Sequence, residues 1–552
     1  MRCKLFKNSL MYLIVTIIAF YSHSLMAADS LDALKNIQQS PLERQTDFAS
    51  GLRGESQIDN QSLGELLIYD VKSDILQPEI KSYWNNQVGK PLTKQEIKNF
   101  KSWAWSKFRD AGYLAYVNTE EVQVDGGLKL YISVITPKLG KVDLQLDGLN
   151  LSDSEKALLQ NRLIQGFTEG HGIDTMKLDN RLQNANFGYP FEFDANLRQV
   201  KPGITDMTLT SRNMAHTSGK MLNGLVQVNN YGLTQYGKAQ LMGLISYSGF
   251  TPLSQLKLSA QLSEGIKYGR MQYDTPIPFL RGEGRVYGSY ADFGSIKTST
   301  SATQGDSLEL GFGMSHLLGF THYAAIKSHL DISARQTANQ LKSSGLSLND
   351  MRSYQGKLAI SLDNSKVDAD QYDANLTLTG GNYDNADPTS KLAGDYSKLE
   401  ANARFVKSMD QQKSLLFQTR FHGQIAGTNL DAYDRISIGG LSGVRAYTSI
   451  DGVGDQGATL NVDIIKKLPY QQYVGAFYDV GFVKPFKHAA TGVYNDVYTL
   501  QGVGFQYGLN YKNVSFAASL AKGIGTYEAY QPGNGESTPQ NWCANLTFSL
   551  MF

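Results

Sequence analysis

Cysteine is nearly missing from this 552-residue chain, which holds only Cys3 and Cys543. A disulfide-built scaffold is therefore excluded, since such scaffolds need several cysteines to pair. Charge is also sparse, at 19% of residues, against about 25% in an average protein. The formal net charge is only +1 and no basic patch stands out, which argues against nucleic acid as a partner. Low charge with 11% aromatic residues excludes a disordered chain, which would be charge-rich and aromatic-poor. After residue 28 there is no run of 18 apolar residues, so a helical membrane protein is excluded. The 8 histidines show no metal-ligand spacing and no Ser/His/Asp cluster, so no metal, cofactor or catalytic set is expected.

What the chain does have begins with an export signal. Arg2, Lys4 and Lys7 precede an apolar stretch from Leu10 to Phe20, and Leu25-Met26-Ala27-Ala28 offers small residues for cleavage. Residues 1–27 read as a signal peptide, to be left out of the fold. The apolar stretch is short for a membrane anchor, and no cysteine sits at the cleavage point to mark a lipoprotein. Cleavage removes three basic residues and no acid, taking the net charge from +1 to −2 and leaving Cys543 without an intrachain partner. A periplasmic or secreted soluble protein remains, or a β-barrel in an outer membrane.

Residues 28–63 are polar. Leu31, Leu34 and Ile37 recur at a spacing of three before Pro41, which fits a short amphipathic helix within 30–50 followed by a linker, or equally a disordered tail. Two small α/β modules are then expected. In 64–137, Leu66–Tyr69 with Val71 reads as a strand, and Pro78 opens a short helix with Ile80, Tyr83 and Trp84. Thr93 and Glu96 suit a capping box. Ile97, Phe100, Ala104, Phe108 and Ala111 form one helical stripe, which Gly112 ends. Tyr113–Val117 and Leu128–Val134 read as strands. At least one of Trp103 and Trp105 is expected in the core. Residues 138–211 repeat the order β-α-α-β-β: alternating Val142, Leu144 and Leu146; a helix from Ser152 with Leu158, Leu159 and Leu163; a helix from Asp174 to Phe187; then strands through Phe191–Leu197 and Met207–Leu209. Consecutive modules of this layout resemble a pair of POTRA domains.

From residue 212 to 552 the helical period disappears and strict alternation takes over. Leu256, Leu258, Ala260 and Leu262 interleave with Lys257, Ser259, Gln261 and Ser263. Leu415, Phe417, Phe421 and Ile425 interleave with Gln418, Arg420, His422 and Gln424, and Ala374, Leu376 and Leu378 with polar neighbours. Lipid outside and water inside impose this pattern on a membrane barrel. A soluble sandwich would show it locally too. The last strand alternates Ala544, Leu546, Phe548, Leu550 and Phe552 with polar residues; ending on Phe552 resembles the assembly signal of outer-membrane barrels. At ~10 residues per strand with turns about as long again, this segment supplies about 16 strands, a lumen wide enough to need a plug.

One stretch is more specific. Ile436-Ser437-Ile438-Gly439-Gly440-Leu441-Ser442-Gly443-Val444-Arg445-Ala446-Tyr447 resembles the signature loop of the superfamily that includes the BamA and TamA assembly factors and the two-partner-secretion transporters (TpsB). The superfamily pattern has Gly where Ala446 stands here, and Ala tolerates positive φ poorly, so a slightly different loop tip is expected. Gly454–Gly457 continues the pattern, and Phe477-Tyr478-Asp479-Val480-Gly481 resembles its second motif, on an inner strand. Thr499–Gly504 also fits, and Asn230-Tyr231-Gly232 and Tyr273–Pro276 resemble the first barrel strands of TpsB proteins. Gly452–Gly457 matches a dinucleotide fingerprint formally, but no strand–turn–helix unit surrounds it.

Two POTRA-like modules, a possible plug helix and the loop motif together resemble a TpsB transporter most closely. The resemblance implies a transmembrane antiparallel β-barrel of about 16 strands (212–552) behind two POTRA domains, in the outer membrane of a Gram-negative bacterium with the POTRA domains periplasmic. It implies that Arg445, in the loop, pairs with Asp479 on the barrel wall beside Gly481. The function implied is export of a large unfolded TpsA-type exoprotein (adhesin, haemolysin or contact-dependent toxin), with outer-membrane lipid and, during biogenesis, the barrel-assembly machinery as further partners. No reaction is expected. A BamA-type insertion factor is the nearest alternative, followed by a passive porin and an outer-membrane lipase or protease.

Overall fold

The computed structural model of the chain describes residues 62–72, 76–85, 91–124, 127–146, 152–164, 166–186, 191–201, 203–213, 222–248, 254–277, 282–296, 302–320, 324–364, 370–385, 392, 394–410, 412–491, 493–525 and 542–552. The expected signal peptide and the helix within 30–50 lie outside the described residues. The described chain forms two compact units, an α/β segment up to Asn213 and a barrel from Leu222.

In the first unit, β1 (Ser62–Lys72), α1 (Gln77–Asn85), β2 (Pro91–Thr93), α2 (Lys94–Asp110), β3 (Tyr116–Val124) and β4 (Gly127–Ile135) make a sheet ordered β2-β1-β4-β3, with β1 parallel to β4. The stripe read from the sequence is the face α2 buries: Ile97, Phe100, Ala104 and Phe108 pack with Ile80 and Trp84 against Ile132 and Val134. Gly112, at φ +83°, ends the helix. Trp103 packs on this core, its ring 4.6 Å from Tyr83, while Trp105 is 42% exposed. Two details differ from the sequence reading. A three-residue β2 stands between the helices. The third strand starts at Tyr116, not Tyr113, because the chain before it pairs with the following module: Tyr113 bridges Asp174, Leu114 N donates to Ile173 O and Thr175 N donates to Gly112 O.

That following module contains β5 (Lys138–Gln145), α3 (Asp153–Ile164), α4 (Thr175–Asn186), β6 (Phe191–Lys201) and β7 (Ile204–Asn213), with sheet order β5-β7-β6. Asp174 Oδ1 accepts from Lys177 N at 2.9 Å and caps α4. Leu159 and Leu163 on α3, Leu178 and Leu182 on α4, and Phe193, Leu197, Met207 and Leu209 on the strands are all buried. Arg181 lies over the Phe167 ring, and burial lowers its guanidinium pKa to about 10.

The second unit is a closed antiparallel barrel of sixteen strands. In chain order its elements are β8 (Leu222–Asn229), β9 (Gln240–Tyr247), β10 (Gln255–Ser263), β11 (Ile266–Ile277), β12 (Gly282–Gly294), β13 (Thr303–Phe320), β14 (Ala325–Leu341), β15 (Ser347–Asp363), β16 (Gln371–Asn385), β17 (Gly394–Ser408) and β18 (Leu415–Ala426). A long loop with a small ladder of its own, β19 (Ile436–Ser437) against β20 (Val453–Gly454), then leads to β21 (Gln456–Leu468), β22 (Gln472–Lys484), β23 (Tyr498–Tyr511), β24 (Val514–Ile524) and β25 (Trp542–Met551). β25 pairs with β8 and closes the ring.

The alternation sorts by face as lipid and lumen require. Leu258, Leu262, Leu376, Leu378, Phe421, Ile425, Leu546 and Phe548 point outward and are exposed, while Gln261, Thr379, Gln424 and Ser549 point inward and are buried. Among the described residues no helix is long and apolar enough to cross a membrane; the strands do so.

At the seam, Gly224 N donates to Phe552 O at 2.9 Å and Phe552 N to Gly224 O at 3.0 Å. A Cβ on Gly224 would fall 2.2 Å from the Phe552 ring, so the terminal ring occupies the space that the glycine leaves. Asn230 continues the seam past the ladder: its Nδ2 donates to Ala544 O at 2.9 Å and its Oδ1 accepts from Leu546 N at 2.8 Å. Tyr231 bonds Thr547 beside it.

Candidate functional site

The loop from Gly427 to Asp455 joins β18 to β21 and folds onto the inner face of the wall. The face is set by Asp479 on β22, which is fully buried while its neighbour Tyr478 points outward. Two glycines shape the loop's turn. Gly440 adopts φ +83°, a conformation open to glycine, and a Cβ on Gly439 would fall 2.1 Å from Thr448 O. The turn is closed by Val444 N donating to Ile438 O at 2.8 Å and Gly440 N to Tyr447 O at 2.9 Å.

The tip of the loop lies in a trough made by glycines on three neighbouring strands. Gly481 on β22 faces Ile438; a Cβ there would come 3.1 Å from Ile438 Cβ. Gly502 on β23 faces Ala446 and Val444, and Gly523 on β24, its registered partner, faces the Tyr447 ring. Ile438, Val444, Ala446 and Tyr447 form one buried cluster with Phe477, Val483, Leu500 and Ala521. Ala446 is not among the positive-φ residues, so the departure from glycine causes no strain there. Its methyl fits because the wall opposite has no side chain.

Arg445 fixes this tip electrostatically. Its Nη2 lies 2.6 Å from Asp479 Oδ1, its Nε 2.8 Å from Oδ2, and its backbone N donates to Oδ2 at 3.0 Å. Its Nη1 reaches Asp463 Oδ1 on β21 at 2.7 Å. The guanidinium lies over the Phe477 ring, 3.5 Å from its centre. Asn461 Nδ2 donates to Asp479 Oδ1 and to Gly443 O, both at 2.7 Å. Arg445 is thus a bidentate partner of one carboxylate and a single partner of another, all in a site closed to solvent. Asp463 and Asn461 were not singled out by motif, although both stand at inward positions of the alternating β21.

A second charged centre, unmarked by any motif, surrounds the 3-10 turn Ala432–Asp434 at the base of the loop. Asp434 Oδ2 accepts from Arg335 Nη2 on β14 at 2.9 Å and from Tyr383 OH on β16 at 2.8 Å. Lys398 on β17 donates from Nζ to Asp434 O at 3.1 Å, and Gln424 on β18 donates from Nε2 to the same oxygen at 2.9 Å. Asp431 lies 3.8 Å from Arg335, whose guanidinium stacks on the Tyr433 ring. The neck is closed by Arg435 Nε, 2.9 Å from Asp455 Oδ1. Each of these charged side chains is at most 7% exposed.

The family model described as haemolysin secretion/activation protein ShlB/FhaC/HecB matches residues 213–505. Heme/hemopexin transporter proteins HuxB from two Haemophilus influenzae strains are similar. One is 22% identical over 507 residues, 83% of this chain and 83% of that protein; the other is 32% identical over 144 residues, 24% of this chain and only 25% of that protein. CdiB from Escherichia coli shares the fold with a TM-score of 0.62 at 16% identity, covering 97% of this chain and 98% of that one. BamA from Haemophilus ducreyi lacking POTRA domains 1-3 gives 0.51 at 13% identity, covering 89% and 100%. Since the matched segment is more than half of the sequence, the chain belongs to the family of haemolysin secretion/activation proteins ShlB/FhaC/HecB.

Proposed function

We propose that this outer-membrane barrel is a TpsB transporter, which passes a dedicated large TpsA-type exoprotein unfolded through its lumen to the cell surface. The observation that carries this reading is the match of the barrel to a family of secretion proteins. The geometry agrees: a sixteen-stranded barrel whose inner wall holds a long loop has a passage and a device that occupies part of it. In this reading the two α/β modules, 64–137 and 138–211, are POTRA domains in the periplasm that receive the cargo. An extended segment can add to an open sheet edge, and each sheet order leaves outer strands that can take one. Gly439, Gly440, Val444, Arg445, Ala446 and Tyr447 form the signature loop, Asp479 and Gly481 its seat, and Phe552 the signal read by the barrel-assembly machinery. Folding of the cargo outside supplies the direction, and the chain catalyses no reaction.

The loop tip has to leave its seat for a chain to pass. The test is to co-produce the protein with an exoprotein encoded beside its gene and assay the surface and the medium. Export that depends on residues 64–211 and on Arg445 supports the reading. Loss of many outer-membrane barrels on deletion of the gene, with exoprotein levels unchanged, overturns it in favour of BamA-type assembly.

A further inference from the structure

Two charged centres tie the loop to the wall strands, and they share no charged residue. The tip is held by Asp463 on β21 and Asp479 on β22, with Asn545 Nδ2 of β25 donating to Arg445 O at 3.3 Å. The base is held by Arg335, Tyr383, Lys398 and Gln424, on β14, β16, β17 and β18. In the closed ring the base partners stand on strands between β14 and β18 and the tip partners on β21, β22 and β25, so the two centres engage different strands, which meet where β18 pairs with β21. They also differ in sign. At the tip the loop contributes the cation and the wall the carboxylates. At the base the loop contributes carboxylates, Asp431 and Asp434, and the wall the cations, Arg335 and Lys398.

We propose that Asp434 is the positioning residue of a second latch, independent of Arg445. It holds the base of the loop against β14–β18, so that the passage opens by movement of the tip about a base that stays in place. The inference rests on the reading of this loop as the part that moves. The packing favours a divided motion. The base is seated in two apolar clusters: Leu430 packs with Met351, Tyr383, Tyr396 and Ala426, Tyr383 being stacked on Tyr396 at 4.0 Å, and Ala432 packs with Tyr236, Ile266, Ala291 and Phe293. The tip lies in the separate cluster over the glycine trough. Releasing Arg445 exposes the carboxylates of β21 and β22 and leaves every partner of Asp434 in place. Losing the Asp434 charge leaves Arg335 and Lys398 with Asp431 and Glu400 as their remaining ion-pair partners, in a site built for one more negative charge.

The test uses the purified full chain with its native cysteines replaced by serine and one reporter thiol. Ala432→Cys reports on the base and Ala446→Cys on the tip; both positions are buried. The rate of maleimide labelling is measured. Asp434→Asn should speed labelling at position 432 by about tenfold or more, because a buried ion pair has lost one partner, and leave position 446 slow. Arg445→Ala should do the reverse, and Asp434→Glu should keep position 432 slow. Exposure of both thiols by either substitution would show a single latch and overturn the proposal, as would an unchanged rate at position 432 in Asp434→Asn. If Asp434→Asn fails to give a heat-modifiable barrel, Arg335→Gln reads the same latch from the wall side under the same criteria. Labelling needs no cargo, so a failure here is distinct from a failure of the export reading.

Discussion

Replacing Arg445 by alanine should undock the loop tip, and the contacts give the size of the effect. Asp479 is fully buried and would keep two hydrogen-bond donors, Asn461 and the backbone N–H of residue 445, with the Arg420 charge farther off. Asp463 would keep Arg420 at 3.6 Å and Gln506 at 3.1 Å. The cost therefore falls mainly on Asp479, and stranding one member of a buried pair costs roughly 3–5 kcal/mol. At about 1.4 kcal/mol per tenfold, the docked-to-released ratio should fall by about two to three and a half powers of ten. Asp479→Asn should cost less, because Arg445 retains Asp463, and Asp463→Asn least, because the bidentate contact survives. Native-state hydrogen exchange at the amides of Gly440, Val444 and Tyr447, which close the turn, reads this opening directly. Equal small effects from all three substitutions, each below about tenfold, would contradict a stranded buried carboxylate at Asp479. They would place the pair with solvent-exposed ion pairs worth about 0–1 kcal/mol.

Gly481→Val should lift Ile438 from the wall, at a cost of about 1–3 kcal/mol, because even a Cβ comes 3.1 Å from both Ile438 and Thr459; loop amides lose protection while heat-modifiable migration of the barrel persists. Asn230→Ala removes two hydrogen bonds across the seam, each worth about 0.5–1.5 kcal/mol, and should lower the temperature at which the barrel unfolds on a gel. In the turn between β17 and β18, Asp410 accepts from Ser414 N at 2.7 Å and Leu415 N at 2.9 Å, and its pKa falls from 3.8 to about 2. A lowered carboxyl pKa means that the stabilisation is present above 3.8 and disappears as pH falls through about 2. Exchange protection of the Ser414 and Leu415 amides should follow that profile, and Asp410→Asn should flatten it.

The barrel was legible because its physics has one period. Lipid on one side and lumen on the other force alternation, so Leu256–Ser263 and the strand ending at Phe552 declare themselves, and for a barrel the segment length at ~10 residues per strand, with turns about as long again, gives about 16 strands. The stripe on α2 was legible for the same kind of reason, since Phe100, Ala104 and Phe108 bury one face. Tyr113 was misread because its partner, Asp174, lies in the next module. The short β2 carries too few residues for a period to show. In the loop, the motif marked Arg445 and Asp479, whereas Asp434 and Arg335 are 99 residues apart and belong to no pattern. Alternation gives the face on which a charge stands. Which lumenal charges meet depends on how the loop lies across the wall, and no periodicity encodes that. The glycines of the trough show the same limit: Gly502 lies in the Thr499–Gly504 stretch that fits the superfamily pattern, but Gly523 reads as an ordinary strand glycine, and what either faces appears only when Ala446 and Tyr447 are seen against them.

Export by this chain is read by mass spectrometry of extracellular proteins from the source bacterium. Wild type, a deletion strain, and the deletion complemented with the intact gene, with Arg445→Ala or with residues 64–211 removed would be compared. One large exoprotein should disappear on deletion and return fully only with the intact gene. An unchanged set of extracellular proteins, with or without a broad loss of outer-membrane barrels, would contradict it.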